Sequence, residues 1–292
     1  MKKNPKSIRR ILVSLDLTKS DDKLIQYVSF LGGLLHEEVE HIYFAHNITL
    51  DPELEDELKV SPLKKPLEKI VEESVKKRIK NNYELEIPHE VLVGRDNSAV
   101  DAIQQIVSEL GVDLVLVGKK NQRGGSGHFS DKLVRMQDLK ADLLMIPETA
   151  YPSAQEILVP TDFSDHSATA FRIGRKIRDA AEGNLRPLNA VRIPPHYFPY
   201  IPVESLSKKL KKESQQSWEK FARKLDTQLE CDFKLSQGES VSETIYHYAI
   251  RHNAQLIIVG ARGRSPLGRF LVGSVSARLM HTDMHLPLWV VR

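Results

Sequence analysis

Short runs of Val, Ile and Leu recur along the chain, each followed by a longer stretch whose apolar residues fall three and four apart. Consecutive apolar positions suit strands covered on both faces, and the stretches between them suit helices packed on a parallel sheet. The pattern predicts strands near 10–15, 39–46, 86–93, 113–117 and 142–146, then near 156–161, 187–193, 231–236, 255–259 and 286–291. In the second set, helices are predicted near 165–182, 204–228, 240–252 and 273–281. Five strands with four crossovers make a doubly wound α/β sheet, which binds ligands outside the carboxyl ends of its strands. Functional residues are therefore expected just after strands.

The two sets are copies. Ile11-Leu-Val-Ser-Leu-Asp16 returns as Ile157-Leu-Val-Pro-Thr-Asp162, and Asp101 to Gly118 lies over Glu243 to Gly260 without a gap. The chain thus reads as a duplication, 1–150 and 151–292, joined near Glu148 to Ala154, where Pro147 and Pro152 mark a short connection. Two domains also suit 292 residues, since single cores stop growing at about 250.

Composition narrows the class. With 41% hydrophobic and 28% charged residues the chain can build a core, which excludes wholesale disorder. No apolar run approaches the roughly 18 residues that span a bilayer, and the basic segment Met1 to Arg10 precedes no signal-length apolar stretch. A cytoplasmic protein without a membrane partner is expected. Residues 1–150 carry 22 basic and 25 acidic side chains, net −3, while the rest carry 20 and 14, net +6. The excess could favour an anionic ligand, but Lys208 to Lys224 has the spacing of an amphipathic helix, so nucleic acid is not the expected partner. The lone Cys231 cannot staple the fold and is read as structural.

The richest chemistry follows the run Leu256 to Val259: GARGRSPLGRFLVGSVSARLM. Gly260, Gly263 and Gly273 leave a strand, make a long loop and open a helix, letting backbone N–H groups approach an anion. Arg262, Arg264 and Arg269 supply positive charge, and Ser274 and Ser276 are expected to add hydroxyl donors. The spacing is neither a P-loop nor GxGxxG. A polyphosphate cradle is the reading that uses all these residues, against glycines that merely permit a tight loop.

Gly, two residues, Gly, nine residues, Gly and then Ser resembles the universal stress protein family, whose ATP-binding members carry that motif; Gly260, Gly263, Gly273 and Ser274 match it position for position. The resemblance covers nearly all of both halves and implies a Rossmann-like, adenine nucleotide α hydrolase-like fold. It extends to Val159 to Ser164, VPTDFS, with the Ser capping the first helix. It implies a nucleotide site of Pro160, Thr161, Asp162, Ala190, Val191, Gly260, Ala261, Arg262, Gly263, Arg264, Gly273, Ser274, Val275 and Ser276. ATP with Mg²⁺ on its phosphates is the implied cofactor. The first half keeps the spacing and changes the chemistry: Gly118, then Lys119, Lys120 and Asn121, then Asp131 and Lys132. A carboxylate at 131 would repel phosphate, although Lys119, Lys120, Arg123 and Lys132 offset part of that and Gly124, Gly125 and Gly127 keep the loop permissive. The first site is expected to be degenerate, with weaker binding of another anion as the alternative.

Other candidates carry less. His281 and His285 have no evident third ligand, so no metal site is assigned. His247 and His252 suit surface or packing roles. Pro194 to Pro202, rich in aromatics, is either a packed loop or a lid. The expected function is regulatory or stress-responsive ATP binding in the second half, with catalysis limited to slow hydrolysis because no general base is evident. A phosphotransferase and a nucleotide-free interaction scaffold are the rival readings. Single-domain members of the family commonly pair through their last strands, which implies an intrachain pseudo-dimer through Leu143 to Pro147 and Leu286 to Val291. A further homodimer and a protein partner of unknown identity complete the expectation.

Overall fold

The computed structural model describes residues 6–49, 65–96, 98–119, 139–193, 203–236, 238–263, 272–282 and 285–292. These fall into two compact units, Ser7–Pro152 and Ser153–Arg292, the latter taking in Lys6.

The first unit runs β1 (Arg10–Ser14), α1 (Ser20–Leu34), β2 (His41–Ile48), α2 (Leu67–Asn82), β3 (His89–Arg95), α3 (Ala99–Leu110), β4 (Leu114–Lys119) and β5 (Asp142–Pro147). Its strands are parallel in the order β3-β2-β1-β4-β5. The second runs β6 (Glu156–Pro160), α4 (Asp165–Ala181), β7 (Asn184–Arg192), α5 (Val203–Leu225), β8 (Asp232–Ser236), α6 (Val241–Arg251), β9 (Leu256–Gly260), α7 (Ser274–His281) and β10 (Leu288–Val291). Its order is the equivalent β8-β7-β6-β9-β10, again parallel. In each unit β1 or β6 leads outward to one side and the chain later crosses to the other. That reversal opens the crevice where doubly wound sheets hold ligands.

The central strands are apolar at successive positions because helices cover both their faces. Ile11, Leu12 and Val13 are fully buried, as are Leu114, Val115 and Leu116. Helix starts follow their caps. Ser98 Oγ accepts from Asp101 N at 3.3 Å, and Ser240 with Glu243 forms a reciprocal capping box on α6. β7 begins at Asn184, three residues before its predicted start, and passes through Pro187. Proline is admitted because β8 pairs with β7 only from Leu188 onward, so no neighbour on that side needs an N–H at 187.

The minor candidates find ordinary places. Burial pushes the Cys231 thiol up to about 12, which leaves almost no thiolate for chemistry. His252 stacks on Tyr248 with ring centroids 4.1 Å apart, and His247 Nδ1 meets Glu239 Oε2 at 3.0 Å on the surface. No helix among the described residues is long and apolar enough to cross a membrane. The aromatic segment at 194–202 lies outside the described residues.

Candidate functional site

At the carboxyl end of β6 the chain turns through Thr161, Asp162 and Phe163, with Phe163 at φ 65°. A bulky residue in the left-handed region persists only where its surroundings hold it. Phe163 N donates to Thr161 Oγ1 at 3.0 Å, and the Phe163 ring meets Phe221 of α5 edge-on, centroids 5.6 Å apart. The turn is braced from below: Asn189 Nδ2 donates to the Thr161 carbonyl at 2.7 Å, and Ser214 Oγ of α5 donates to Asn189 Oδ1 at 2.8 Å. Ser164 caps α4 by accepting from Ser167 N at 3.2 Å, and Asp162 Oδ1 accepts from Ser164 N at 3.1 Å. This backbone bond helps to orient the carboxylate at the strand end.

The three glycines of the loop after β9 serve different ends. A Cβ on Gly260 would stand 2.8 Å from the carbonyl carbon of His166 and 3.0 Å from Ser167 N, so α4 packs directly on this backbone. On Gly263 a Cβ would stand 2.7 Å from Asp162 Oδ2, which brings the loop against the β6 carboxylate. At Gly273, by contrast, the nearest atom among the described residues is Ala261 O at 3.4 Å, an ordinary contact. Packing against the described residues therefore does not require glycine at 273.

Two expected donors are committed elsewhere. Gly273 is the N-cap of α7, and its N–H closes the loop onto the Ala261 carbonyl at 2.7 Å, so it is not the N–H offered to a ligand. Ser276 Oγ is buried and donates to the Gly260 carbonyl at 2.7 Å, tying α7 to β9. The donors at this end are the first-turn N–H groups of α7, from Ser274 to Ser276, which no intrahelical carbonyl can reach. The exposed Ser274 hydroxyl stands beside them.

These elements enclose a cavity of about 340 Å³ to which Pro160, Thr161, Asp162, Ala190, Gly260, Arg262, Gly263, Gly273, Ser274, Val275 and Ser276 all contribute. Val191 and Ala261 do not line it: Val191 pairs with Leu235 of β8, and Ala261 donates its N–H to Val291 O. Arg264 and Arg269 lie outside the described residues. Six lining residues escaped the sequence reading: Ser167, Leu188, Val241, Ile245, Val259 and Val272. Val241 and Ile245 were legible as one apolar face of α6, four residues apart, and Val259 and Val272 directly precede two of the loop glycines; Ser167 and Leu188 join the site only through tertiary packing. His166 is held uncharged to lower pH than usual by burial, then by the Arg262 guanidinium, against the opposing pull of Asp162 and Asp165. Among the described residues no group of three His, Cys, Asp or Glu side chains is placed to hold a metal ion.

The first unit repeats the turn with different parts. Leu17 sits at φ 62°, but Leu15 offers no hydroxyl where Thr161 does, and the fully buried Asp21 carboxylate takes over. It accepts from Leu17 N at 2.8 Å and from Asp16 N at 3.1 Å. Burial pushes its pKa up to about 7; the Asp16 N–H bond pulls it down, the Asp16 carboxylate pushes it up and Arg78 pulls it down. The candidates of the first-half loop at 120–132 lie outside the described residues, while Gly118 and the buried Lys119 end β4.

Comparison with known proteins agrees with this duplicated geometry. The model of the universal stress protein family matches twice, over residues 7–135 and 154–292. A universal stress protein of Methanocaldococcus jannaschii is 28% identical over 143 residues, which is 47% of this chain and 82% of the relative. Among solved structures, a putative universal stress protein from Pseudomonas aeruginosa aligns over 97% of this chain and 93% of its own, with TM-score 0.67 and 14% identity. A universal stress protein from Archaeoglobus fulgidus aligns over 97% and 98%, with TM-score 0.59 and 16% identity. Identities this low speak to the shared fold. With the family model matching both halves in succession, the chain belongs to the universal stress protein family as a tandem of two α/β domains.

Proposed function

We propose that the second domain binds one adenine nucleotide, ATP with Mg²⁺ on its phosphates, and that occupancy tunes conformation or partner binding in a cytoplasmic stress-response role. The observation that carries this reading is the convergence of Asp162, Arg262, Gly263 and the N-terminus of α7 on one cavity of about 340 Å³. That volume suits a small-molecule site. Its chemistry is polarised. Apolar Ala190, Val241 and Ile245 offer walls for a ring, while Arg262 and the first turn of α7 offer charge and N–H donors to phosphate. Glycine at 273, which packing against the described residues does not require, is accounted for by a ligand passing close to the backbone.

The reading is of binding rather than turnover. Mass spectrometry of small molecules released by acid from the purified chain tests it, followed by calorimetry with ATP and Mg²⁺. One site per chain is expected, and two equal sites, or none, overturn it. The pairing of the two domains through their last strands remains part of the proposal and is tested by crosslinking between cysteines placed on β5 and β10.

A further inference from the structure

Helix α5 gathers positive charge in its N-terminal half, with lysines at 208, 209, 211 and 212. Lys209 pairs with Glu213 at 4.0 Å, and further along the helix Lys224 pairs with Asp165 at 2.5 Å. Among the described residues Lys208, Lys211 and Lys212 have no ion-pair partner, and all three are exposed. Spaced i, i+3 and i+4, they share one row of the helix surface, where like charges repel and weaken the helix that carries them.

That row stands clear of the domain body. Trp218 follows Lys211 by seven residues and so lies on the same side of the helix, where it is buried together with Phe221 and Leu225. At Lys211 the same side is exposed, and none of residues 204–213 is buried. The C-terminal half, by contrast, is fixed to the turn after β6. Ser214 Oγ donates to Asn189 Oδ1, the Asn189 amide holds the Thr161 carbonyl, and Phe221 packs edge-on against Phe163. One continuous helix thus joins the lysine row to the residues that place Asp162.

The chemistry of the row selects its occupant. Nucleic-acid sites add arginine forks and exposed aromatic rings on which bases stack, whereas the row holds only lysine and the α5 rings of Trp218 and Phe221 are buried. A helix lying on a bilayer needs an exposed apolar flank, and the exposed large apolar side chains among the described residues, Ile70, Tyr151 and Ile250, all lie off α5. An acidic helix presents carboxylates at the same three- and four-residue spacing and relieves the lysine repulsion without needing either feature.

We infer that the exposed lysine row of α5 docks an acidic helical segment of a partner protein, and that nucleotide in the second domain alters this docking through the Thr161–Asn189–Ser214 link. The docking stands by itself; its response to nucleotide rests on the reading proposed above.

The test is fluorescence anisotropy at low salt with the full chain and a fluorescein-labelled alanine-based peptide carrying glutamates at i, i+3 and i+4. The same peptide with glutamine for glutamate is the blank. The glutamate peptide is expected to bind and the glutamine peptide not. Lys208→Gln, Lys211→Gln and Lys212→Gln together are expected to weaken binding about tenfold, since exposed ion pairs are individually weak and three act at once. Lys69→Gln, Lys77→Gln and Lys80→Gln on α2 remove the same charge from exposed positions elsewhere and are expected to leave binding unchanged. Circular dichroism checks that both triple variants fold. The docking is overturned if the two triple variants weaken binding equally, if the glutamate peptide does not bind at millimolar concentration, or if a single-stranded oligonucleotide or phosphatidylserine vesicles bind more tightly than the peptide.

ATP with Mg²⁺ is expected to change the peptide affinity about fivefold or more, and by linkage the peptide must change ATP affinity by the same factor. Calorimetry with ATP alone separates the two readings. If ATP does not bind, the nucleotide reading and the coupling fail together while the docking is judged on the peptide; if ATP binds and leaves peptide affinity unchanged, the coupling alone is overturned.

Discussion

Gly263 lies so close to Asp162 that a Cβ at 263 would stand 2.7 Å from the carboxylate Oδ2. Two strands distant in sequence thus deliver a loop backbone and a carboxylate to one point. Gly263→Ala is expected to displace the Asp162 side chain, lowering ATP affinity about tenfold while costing under about 1 kcal/mol of stability, because a partly exposed side chain can shift. Gly260→Ala meets the His166 and Ser167 backbone instead, which cannot yield. It is expected to destabilise the fold by about 1–3 kcal/mol, as overpacking does. Urea unfolding beside calorimetry separates the two effects.

Gly273→Asp is expected to lower ATP binding by on the order of 4 kcal/mol, the Coulomb cost of a carboxylate about 4 Å from a phosphate charge. The fold is expected to tolerate it, since 3.4 Å separates a Cβ from Ala261 O and aspartate is a favoured N-cap. An unchanged melting temperature with lost ATP binding is the expected pair of results. Normal binding by this variant would show that no phosphate passes near the α7 N-cap.

The Asp21 carboxyl is raised to about 7 in the folded chain, mainly by burial, from an ordinary value of 3.8. Between roughly pH 4 and 7 the folded state then holds a proton that the unfolded state has released, so stability falls as pH rises through that window, by about 1.4 kcal/mol per unit at most. Above about pH 7 the dependence from this group ends. Asp21→Asn is expected to flatten the dependence of the urea midpoint between pH 5 and 7; an unchanged slope would mean that Asp21 does not titrate there.

Asn189 is expected to be replaceable by His but not by Leu. His46 Nδ1 meets the Leu15 carbonyl at 3.0 Å in the first domain, as Asn189 Nδ2 meets Thr161 O in the second. Asn189→Leu leaves the Thr161 carbonyl and the buried Ser214 hydroxyl without this partner, a loss of about 1–3 kcal/mol. Thermal unfolding of both variants checks the ranking.

The sequence by itself determined the duplication, the five-stranded class of each half and most strand positions, because apolar periodicity and local capping are written in consecutive residues. Ser164 and Ser240 start their helices through atoms three residues away. Within the glycine loop it also determined which residues gather at the strand ends, since doubly wound topology puts them there. What each donor does was decided only by tertiary structure. Gly273 N and Ser276 Oγ are two of the donors expected around the motif, yet both close on carbonyls of the preceding strand and loop. The partner of a hydrogen bond depends on where β9 and α7 meet in space, which no spacing encodes. Asp21 is the clearest case. Five residues after Asp16 it reads as one more helix-start carboxylate, and only the folded turn shows it buried, replacing the hydroxyl that Leu15 lacks.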